Sequence, residues 1–461
     1  MLEYLKRNWR WFLAVTAAAA LLRLFFVLRF AVVDGDSLVY GSIAKCIIRN
    51  HMYGVERASG WQPTMMRLPG YPLYLAFTFL FSGVGHYKGA MLLQILFDLL
   101  TCFFVADIAR RIFSERAARV AFLLAAFCPF LLSYVATPLT ECLEIFFTAA
   151  ALDSTLLALK RRSLPFWVLP GIAVAGAILL RPDGGLLLGC LAIPLFLIAW
   201  REPRRRRELF TATLLLGAVS LAPLVPWAIR NYRVFHVFQP LVNVHAYDPG
   251  ESEPQGFGLW CGTWTFDYAH TIDIGFPVPG DPIRIEDVPS YAYTSNDQRE
   301  TVRALFDQYN QTREITPELD RQFTALAAEN IRRHPIRYHL LLPVGRTLDM
   351  WFRPRTEMLP LDTHFWQIRE DPHDSLWSIA LGLLNLAYLT VAVAGAWLLR
   401  RRLFPLALLL TYPVIRTLFL ATTGAAEDRY TMECFPFIFV LAAGLLSSWQ
   451  NRHVQKLQSP E

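Results

Sequence analysis

Residues 9–33 read WRWFLAVTAAAALLRLFFVLRFAVV, an apolar run interrupted only by three arginines and one threonine. As a helix, this run can cross the ~30 Å hydrocarbon core of a bilayer, for which about 20 apolar residues suffice. Similar runs recur along the chain, whose 461 residues are 54% hydrophobic and 18% charged. That composition is too apolar for a soluble protein of this size. The sequence therefore predicts an all-α polytopic membrane protein.

The first apolar run is predicted to remain as an uncleaved span, because it is long and no small-residue cleavage site follows it. The formal net charge is +6, but the arginines are clustered, so their positions are more informative than their sum. The seven cysteines are scattered along the chain and predict neither a disulfide framework nor a zinc motif.

Basic clusters separate the apolar runs, and such clusters tend to remain in the cytoplasm. All of them fall on one side, with both termini cytoplasmic, when ten spans are assigned. A further span in the short run 70–83 would place every later cluster outside, so this run is predicted to be a juxtamembrane or re-entrant helix on the outer side. The ten predicted spans are 9–33, 88–109, 117–136, 139–159, 164–180, 184–200, 209–227, 377–399, 403–421 and 432–449.

This topology divides the chain into three parts. Residues 1–227 form a seven-span N-terminal core with a first outer loop at 34–87, residues 228–376 form a large outer loop, and residues 377–461 form three C-terminal spans. Within the large loop, residues 317–343 have helical periodicity. We expect this loop to be an ordered, partly helical cap, and loops of such length usually carry function.

Polar residues gather at the outer ends of the predicted spans. A carboxylate there can take a proton from an attacking hydroxyl, and arginines can bind a phosphate through bidentate charge-assisted bonds. A site at the bilayer edge suits a substrate whose tail stays in lipid. Together these features predict transfer of a group from a lipid phosphate to a hydroxyl. The residues concerned are Asp34, Asp36, Tyr40, Arg67, Glu141, Arg181, Asp183, Arg230, Glu427, Asp428 and Arg429.

Each of these residues also has a structural interpretation. Asp34 and Asp36 could end the first span in water, and Glu141 could be a first-turn acid favoured by the helix dipole. Arg67 and Arg230 could be interfacial anchors, and Arg181 could simply pair with Asp183. The tryptophans Trp260, Trp264 and Trp351 could stack on sugars, but an aromatic belt at the membrane interface is the favoured explanation.

Several motifs occur together in one order along nearly the whole chain. They are DGDSLVYGSIAKCIIRNHMYG with RLPGYPLYLA, then TPLTECLEIFF, AILLRPDGG, VPWAIRNYRVF and EDRYTMECFPFIFVLAAG. In this order the chain resembles the bacterial branch of the protein mannosyltransferase and aminoarabinose transferase family, which are GT-C superfamily glycosyltransferases. The resemblance implies a GT-C fold, with juxtamembrane helices and a large outer loop beside the transmembrane helices.

The resemblance also implies roles for individual residues. Asp36 best matches the family's catalytic base, because Tyr40 and the alanine that follows fit the family's pattern. The Asp-Gly-Asp sequence departs from that pattern and leaves the choice between Asp34 and Asp36 open. Glu141 is the further catalytic candidate. The candidates for binding the donor phosphate or the substrate are Arg67, Arg230, Tyr40, Tyr71, Arg181 and Arg429.

The expected function is transfer of a sugar from a polyprenyl-phosphate-linked donor to a hydroxyl on a protein, lipid or glycan, at the outer face of a bacterial inner membrane. No cofactor is predicted; a divalent metal between Asp36 and Glu141 is conceivable, but no histidine cluster supports it. Membrane lipids are expected partners and nucleic acid is not. The alternatives are a transporter or lipid flippase, an oligosaccharide ligase or polymerase using a pyrophosphate lipid, and a non-catalytic scaffold.

Overall fold

A computed structural model describes residues 1–33, 35–242, 247–249, 254–275, 281–362, 364–424 and 427–458. Among the described residues, the N-terminal part consists mainly of helices and one hairpin. Its helices are α1 (Leu2–Arg7), α2 (Trp9–Arg29), α3 (Asp36–Asn50), α4 (Gly70–Ser82), α5 (Lys88–Ile112), α6 (Glu115–Ala126), α7 (Pro129–Val135), α8 (Glu141–Arg161), α9 (Val168–Leu180), α10 (Leu186–Arg201), α11 (Arg206–Leu221) and α12 (Leu224–Phe235).

The hairpin lies between α3 and α4 and pairs strands β1 (Gly54–Arg57) and β2 (Gly60–Pro63) in antiparallel register, with Val55 opposite Gln62. The C-terminal part continues with helices α13 (Gln255–Gly262), α14 (Tyr268–His270), α15 (Asn296–Thr312), α16 (Pro317–Arg333), α17 (Leu342–Phe352), α18 (Pro372–Leu398), α19 (Leu403–Thr422) and α20 (Phe435–Gln458). A 3-10 helix at Asp428–Cys434 leads directly into α20.

Within the described residues, eight helices are long and apolar enough to cross a membrane, or nine if the bent pair α6–α7 is one span. The predicted span 117–136 is this bent pair: its two helices meet at 53°, where Pro129 begins α7. The predicted span 164–180 is an apolar helix shorter than the others. The predicted polytopic α-helical fold class is confirmed.

The helical periodicity of 317–343 corresponds to two helical segments with a break between them. Thr316 caps α16 by accepting a hydrogen bond from the backbone N–H of Leu319, and α16 ends at Arg333. His334 leaves the helical region with φ −131° and ψ 59°, because the ring of Pro335 disfavours a helical residue before it. A second helical segment then begins at Pro335, passes through a π-helical turn at Arg337–Leu341 and continues as α17.

The described residues between α12 and α18 form an aromatic core of their own. Trp260 and Trp264 on and after α13 are fully buried against Phe306 of α15 and Phe323 of α16. Buried rings of this size supply most of the apolar surface that a small domain removes from water. These two tryptophans therefore stabilise the loop domain and are not exposed platforms for sugars.

A buried ion pair joins the first span to the next. The Arg23 Nε of α2 lies 2.6 Å from the Asp98 Oδ2 of α5, and its Nη1 donates to the backbone oxygens of Ala19 and Ala126. The side chains are 0% and 3% exposed. Neither partner was singled out from the sequence, although a charged residue inside an apolar run is a general signal of a specific role.

We expect Arg23→Met to lower the free energy of unfolding by about 3–5 kcal/mol, because it leaves the Asp98 carboxylate buried without its cation. The double variant Arg23→Met/Asp98→Leu should recover most of that loss, because it removes both charges. Thermal unfolding of the purified protein in detergent measures both. Equal destabilisation in the single and double variants would show that lost packing, and not the unpaired charge, sets the effect.

Candidate active site

Asp36 is the first residue of α3, where the helix dipole favours a negative charge. Its Oδ1 accepts a 2.7 Å hydrogen bond from Arg67 Nη2, and its Oδ2 lies 3.5 Å from both terminal nitrogens of Arg429. Burial alone would raise the pKa of Asp36, but Arg429 and Arg67 together lower it below its ordinary value. The carboxylate is therefore ionised at neutral pH.

Arg429 links Asp36 to two further acids. Its Nε lies 2.5 Å from Glu427 Oε2, and its Nη1 lies 3.8 Å from Glu141 Oε1. The Tyr430 hydroxyl donates to Glu427 Oε1 over 2.6 Å, which orients that carboxylate. Glu141 is the first residue of α8 and is buried. One guanidinium therefore lies within ion-pair distance of carboxylates from three separate segments.

Arg181 contacts Glu141, as Arg429 does, and also two further acids. Its Nη1 lies 3.7 Å from Glu141 Oε1, and its Nε lies 3.8 Å from Glu144 Oε1 and 3.3 Å from Asp183 Oδ1. Its guanidinium also covers the Tyr430 ring at 4.3 Å. The expected pairing of Arg181 with Asp183 is present, but Arg181 also faces the acids of α8.

Arg416 of α19 holds Asp183, the partner of Arg181, from inside a membrane-spanning helix. It is buried, and its Nη2 lies 2.9 Å from Asp183 Oδ2 and 3.1 Å from Glu433 Oε2. Its Nε donates to the backbone oxygen of Tyr430 over 2.7 Å. Sequence reasoning missed Arg416, Glu433 and Glu144. Arg416 could have been found, because a lone arginine inside the apolar run YPVIRTLFLA needs a partner within the membrane.

Arg67 lies against the first of two tyrosines, Tyr40 and Tyr71, whose rings meet edge-on. Its guanidinium is 5.7 Å from the centre of the Tyr40 ring, and Tyr40 packs edge-on against Tyr71 at 5.1 Å. Tyr71 is fully buried, and its hydroxyl donates to Gln94 of α5. Tyr40 thus borders the site, whereas Tyr71 supports Tyr40 from beneath. The predicted substrate-binding role of both tyrosines stays a prediction.

Arg230 of α12 lies outside the contacts of Asp36. It donates to the backbone oxygens of Thr64 at 2.7 Å and of Tyr53 at 2.6 Å. The Tyr53 hydroxyl in turn donates to the backbone oxygen of Arg67 over 2.9 Å. Arg230 therefore holds the segment that carries Arg67, and its predicted binding of a donor phosphate stays a prediction.

We expect Arg230→Met to loosen the hairpin and its flanks, because two carbonyl oxygens lose their charged donor, an effect worth about 1.5–3 kcal/mol for each such bond. Amide hydrogen exchange across residues 53–68 should rise, while exchange in α16 stays unchanged and serves as the internal control. Unchanged exchange across 53–68 would contradict this positioning role.

A neighbouring network fixes the segment that carries Arg429. The buried Arg355 donates to the backbone oxygen of Asp428 over 2.9 Å and to Thr431 Oγ1 over 2.7 Å. The Tyr134 hydroxyl of α7 donates to Glu357 on the same loop. Sequence reasoning missed Arg355, Glu357 and Tyr134, because they become neighbours of Asp428 only when the loop after α17 folds back onto the core.

Two further expectations concern Asp34 and a metal ion. Asp34 lies outside the described residues, so the choice between Asp34 and Asp36 stays open. Among the residues that the structure describes, no group of three His, Cys, Asp or Glu side chains is arranged to hold a metal. The guanidinium of Arg429 lies within ion-pair distance of both Asp36 and Glu141, and the expectation that no cofactor is needed stays a prediction.

Comparison with known proteins gives a family match and a fold match. The sequence profile of the dolichyl-phosphate-mannose-protein mannosyltransferases matches residues 66–229, a stretch that contains Arg67, Glu141 and Arg181. A comparison with curated protein sequences finds no match. The profile match supports the resemblance seen in the sequence motifs.

A search of solved structures finds, among others, one similar fold and one weaker match. The archaeal oligosaccharyltransferase AglB from Archaeoglobus fulgidus, solved with an inhibitory peptide and a dolichol-phosphate, matches with a TM-score of 0.56 at 17% identity, covering 99% of this chain and 53% of that one. ArnT from Cupriavidus metallidurans, bound to undecaprenyl phosphate, matches with a TM-score of 0.43 at 16% identity, covering 98% and 81%. The chain spans about half the length of the oligosaccharyltransferase, and the expected GT-C fold is confirmed.

Proposed function

We propose that this protein is a glycosyltransferase that moves a sugar from a polyprenyl-phosphate-linked donor to a hydroxyl acceptor at the outer face of the membrane. One observation carries the proposal: an ionised carboxylate, Asp36, is held by Arg67 and Arg429 just beyond the first membrane span. A carboxylate beside two arginines provides a base and a phosphate-binding pair in one place. The family profile and the GT-C fold support the same class.

The proposed reaction is a single displacement. Asp36 orients the acceptor hydroxyl and takes its proton as the oxygen forms a bond to the anomeric carbon. The bond from that carbon to the phosphate oxygen breaks, and the electron pair leaves with the polyprenyl phosphate. Attack from the face opposite the phosphate inverts the anomeric configuration, and the transition state has oxocarbenium character. Asp36 holds the proton at the end of the step.

Arg67 and Arg429 serve the leaving group. Both guanidiniums have N–H donors beyond those that contact Asp36, and negative charge grows on the phosphate as its bond breaks. A bound phosphate would draw these arginines partly away from Asp36. The pKa of Asp36 would then rise toward its ordinary value, which makes it a better base when the donor is present.

The proposed orientation places both termini in the cytoplasm and the Asp36–Arg429 cluster on the outer side. The arginine clusters at the other end of the bundle support it through the positive-inside tendency. The acceptor hydroxyl belongs to a protein, a lipid or a glycan, and the outer loop domain of α13–α17 is the proposed selector, because α17 lies against the 3-10 helix that carries Arg429.

A ligase that uses a pyrophosphate-linked oligosaccharide is the second candidate, because its donor would present a larger anion to the same arginines. The fold similarity to an oligosaccharyltransferase motivates this alternative. Donor chemistry separates the two candidates.

The test is a transfer assay on the purified protein. Radiolabelled polyprenyl-monophosphate hexoses and pentoses, and a polyprenyl-pyrophosphate oligosaccharide, are each incubated with protein and membrane extract as the acceptor source. We expect consumption of a monophosphate donor, release of polyprenyl phosphate and label in a new product. Consumption of only the pyrophosphate donor would favour the ligase, and consumption of neither would reject a transferase and favour substrate transport.

The pH profile should report the charge environment of Asp36. Transfer requires ionised Asp36, so kcat/KM falls as the pH falls through the pKa of Asp36 in the free enzyme. Because that pKa lies below its ordinary value of 3.8, we expect no acid limb from Asp36 near neutral pH. Arg67→Gln removes one of the cations that lower it, and the acid limb should move to higher pH.

The matched control is Arg49→Gln, an exposed arginine at the far end of α3. It should leave the acid limb in place, because its charge lies away from Asp36 and is screened by water. A limb that stays fixed in Arg67→Gln would contradict the assignment of Asp36 as the titrating base.

A further inference from the structure

A basic cavity lies at the end of the bundle opposite to the Asp36–Arg429 cluster. It has a volume of about 460 Å³ and is lined by Met1, Arg110, Arg111, Leu157, Lys160 and Arg161. Helix α8 begins at Glu141, in the candidate active site, and ends at Arg161, in this cavity. A helix of this length rises by about 30 Å, so the cavity lies across the bilayer from the site of transfer.

Two of the arginines in the cavity are oriented by a buried carboxylate. Asp107 of α5 has a side-chain exposure of 5%. Its Oδ1 accepts from Arg110 Nε at 2.8 Å, and its Oδ2 accepts from Arg111 Nε at 2.9 Å. Arg111 also reaches Asp153 of α8 at 3.4 Å. Each guanidinium has five N–H donors in a fixed plane, so donors remain for a ligand after these bonds are made.

The other two basic residues of the cavity carry uncompensated charge. Lys160 and Arg161 end α8, and among the described residues the carboxylates of this cavity, Asp107 and Asp153, form their ion pairs with Arg110 and Arg111. Four cations therefore face two aspartates, which leaves an excess of positive charge. Leu157 and Met1 add apolar surface to the same wall. A site with this combination suits a phosphate group that carries an apolar tail.

We infer that this cavity binds the phosphate headgroup of an anionic phospholipid in the leaflet opposite to the active site. Basic pockets between membrane helices recognise such headgroups through charge and hydrogen bonding. A volume of a few hundred Å³ is typical of small-ligand pockets. The cavity is also bounded by the ends of two membrane-spanning helices, α5 and α8, where lipid headgroups lie.

Native mass spectrometry of the full chain in detergent tests this inference, with phosphatidylglycerol and phosphatidylcholine as the added lipids. We expect preferential retention of phosphatidylglycerol. Lys160→Gln/Arg161→Gln should weaken the binding of phosphatidylglycerol on the order of tenfold, because it removes two basic side chains that attract the anionic headgroup. The control Arg204→Gln/Arg207→Gln removes the same charge from exposed positions on the same side and should retain binding.

Asp107→Asn distinguishes binding by oriented arginines from general attraction to a positive surface. The variant makes the cavity more positive, so general attraction would strengthen lipid binding. Loss of the orienting carboxylate should instead weaken it. Equal loss in both double variants, stronger binding by Asp107→Asn, or no preference for phosphatidylglycerol would each overturn the inference. Displacement of the lipid by millimolar inorganic phosphate would overturn the assignment to a lipid and indicate a site for soluble phosphates.

Discussion

Asp36→Asn is expected to lower the rate of sugar transfer by about 10²–10⁴, the range that a positioned general base contributes. The amide is nearly isosteric with the carboxylate and can still accept the hydrogen bond from Arg67, but it cannot take a proton from the acceptor. The fold should remain, because Asp36 sits at a helix start that tolerates asparagine. The measurement is single-turnover release of polyprenyl phosphate, with thermal unfolding as the check on folding.

Two companion variants sharpen this result. Glu56→Gln changes an exposed acid on the neighbouring hairpin and should retain full activity. Asp34→Asn tests the other acid of the Asp-Gly-Asp sequence. If Asp34→Asn is inactive while Asp36→Asn retains activity, the transferase class survives and the base lies two residues earlier in the chain.

Arg429→Gln is expected to have the largest combined effect on stability and activity. It leaves Glu427 buried without its cation and leaves Glu141 with Arg181 alone, and removing one partner of a buried ion pair costs about 3–5 kcal/mol. It also removes one of two phosphate-binding groups, and loss of one such electrostatic contact lowers catalysis by about 10²–10³. Thermal unfolding in detergent and the transfer assay measure the two effects separately.

The double variant Glu427→Gln/Arg429→Gln distinguishes charge balance from catalysis. Removing Glu427 with its partner should restore part of the stability, because one unpaired carboxylate disappears. Transfer should stay low, because the phosphate contact is still missing. A double variant that regains activity together with stability would show that Arg429 acts only through the fold.

The sequence alone was sufficient for the membrane class and for most of the candidate site. Apolar runs that are long enough to cross a bilayer predict membrane spans, because such runs are stable in hydrocarbon and not in water. Asp36, Arg67, Glu141, Arg181 and Arg429 were all proposed from their places at span ends, and the structure brings them into one cluster. Span ends on one side of a membrane lie in one plane, which is why a one-dimensional pattern could predict this proximity.

The contacts that hold these side chains in place are visible in the tertiary structure and follow from no pattern in the sequence. Arg429 is 393 residues from Asp36 along the chain, and Arg416 reaches Asp183 and the backbone of Tyr430 from inside a span. Such contacts depend on which helix faces pack together, and that packing is set by small side chains and close-packed volumes along the whole bundle. The placement of Arg230 against the hairpin and its flanks depends on the same packing. Charge and hydropathy therefore predict which residues gather at the candidate site, and helix packing determines which residues hold the cluster together.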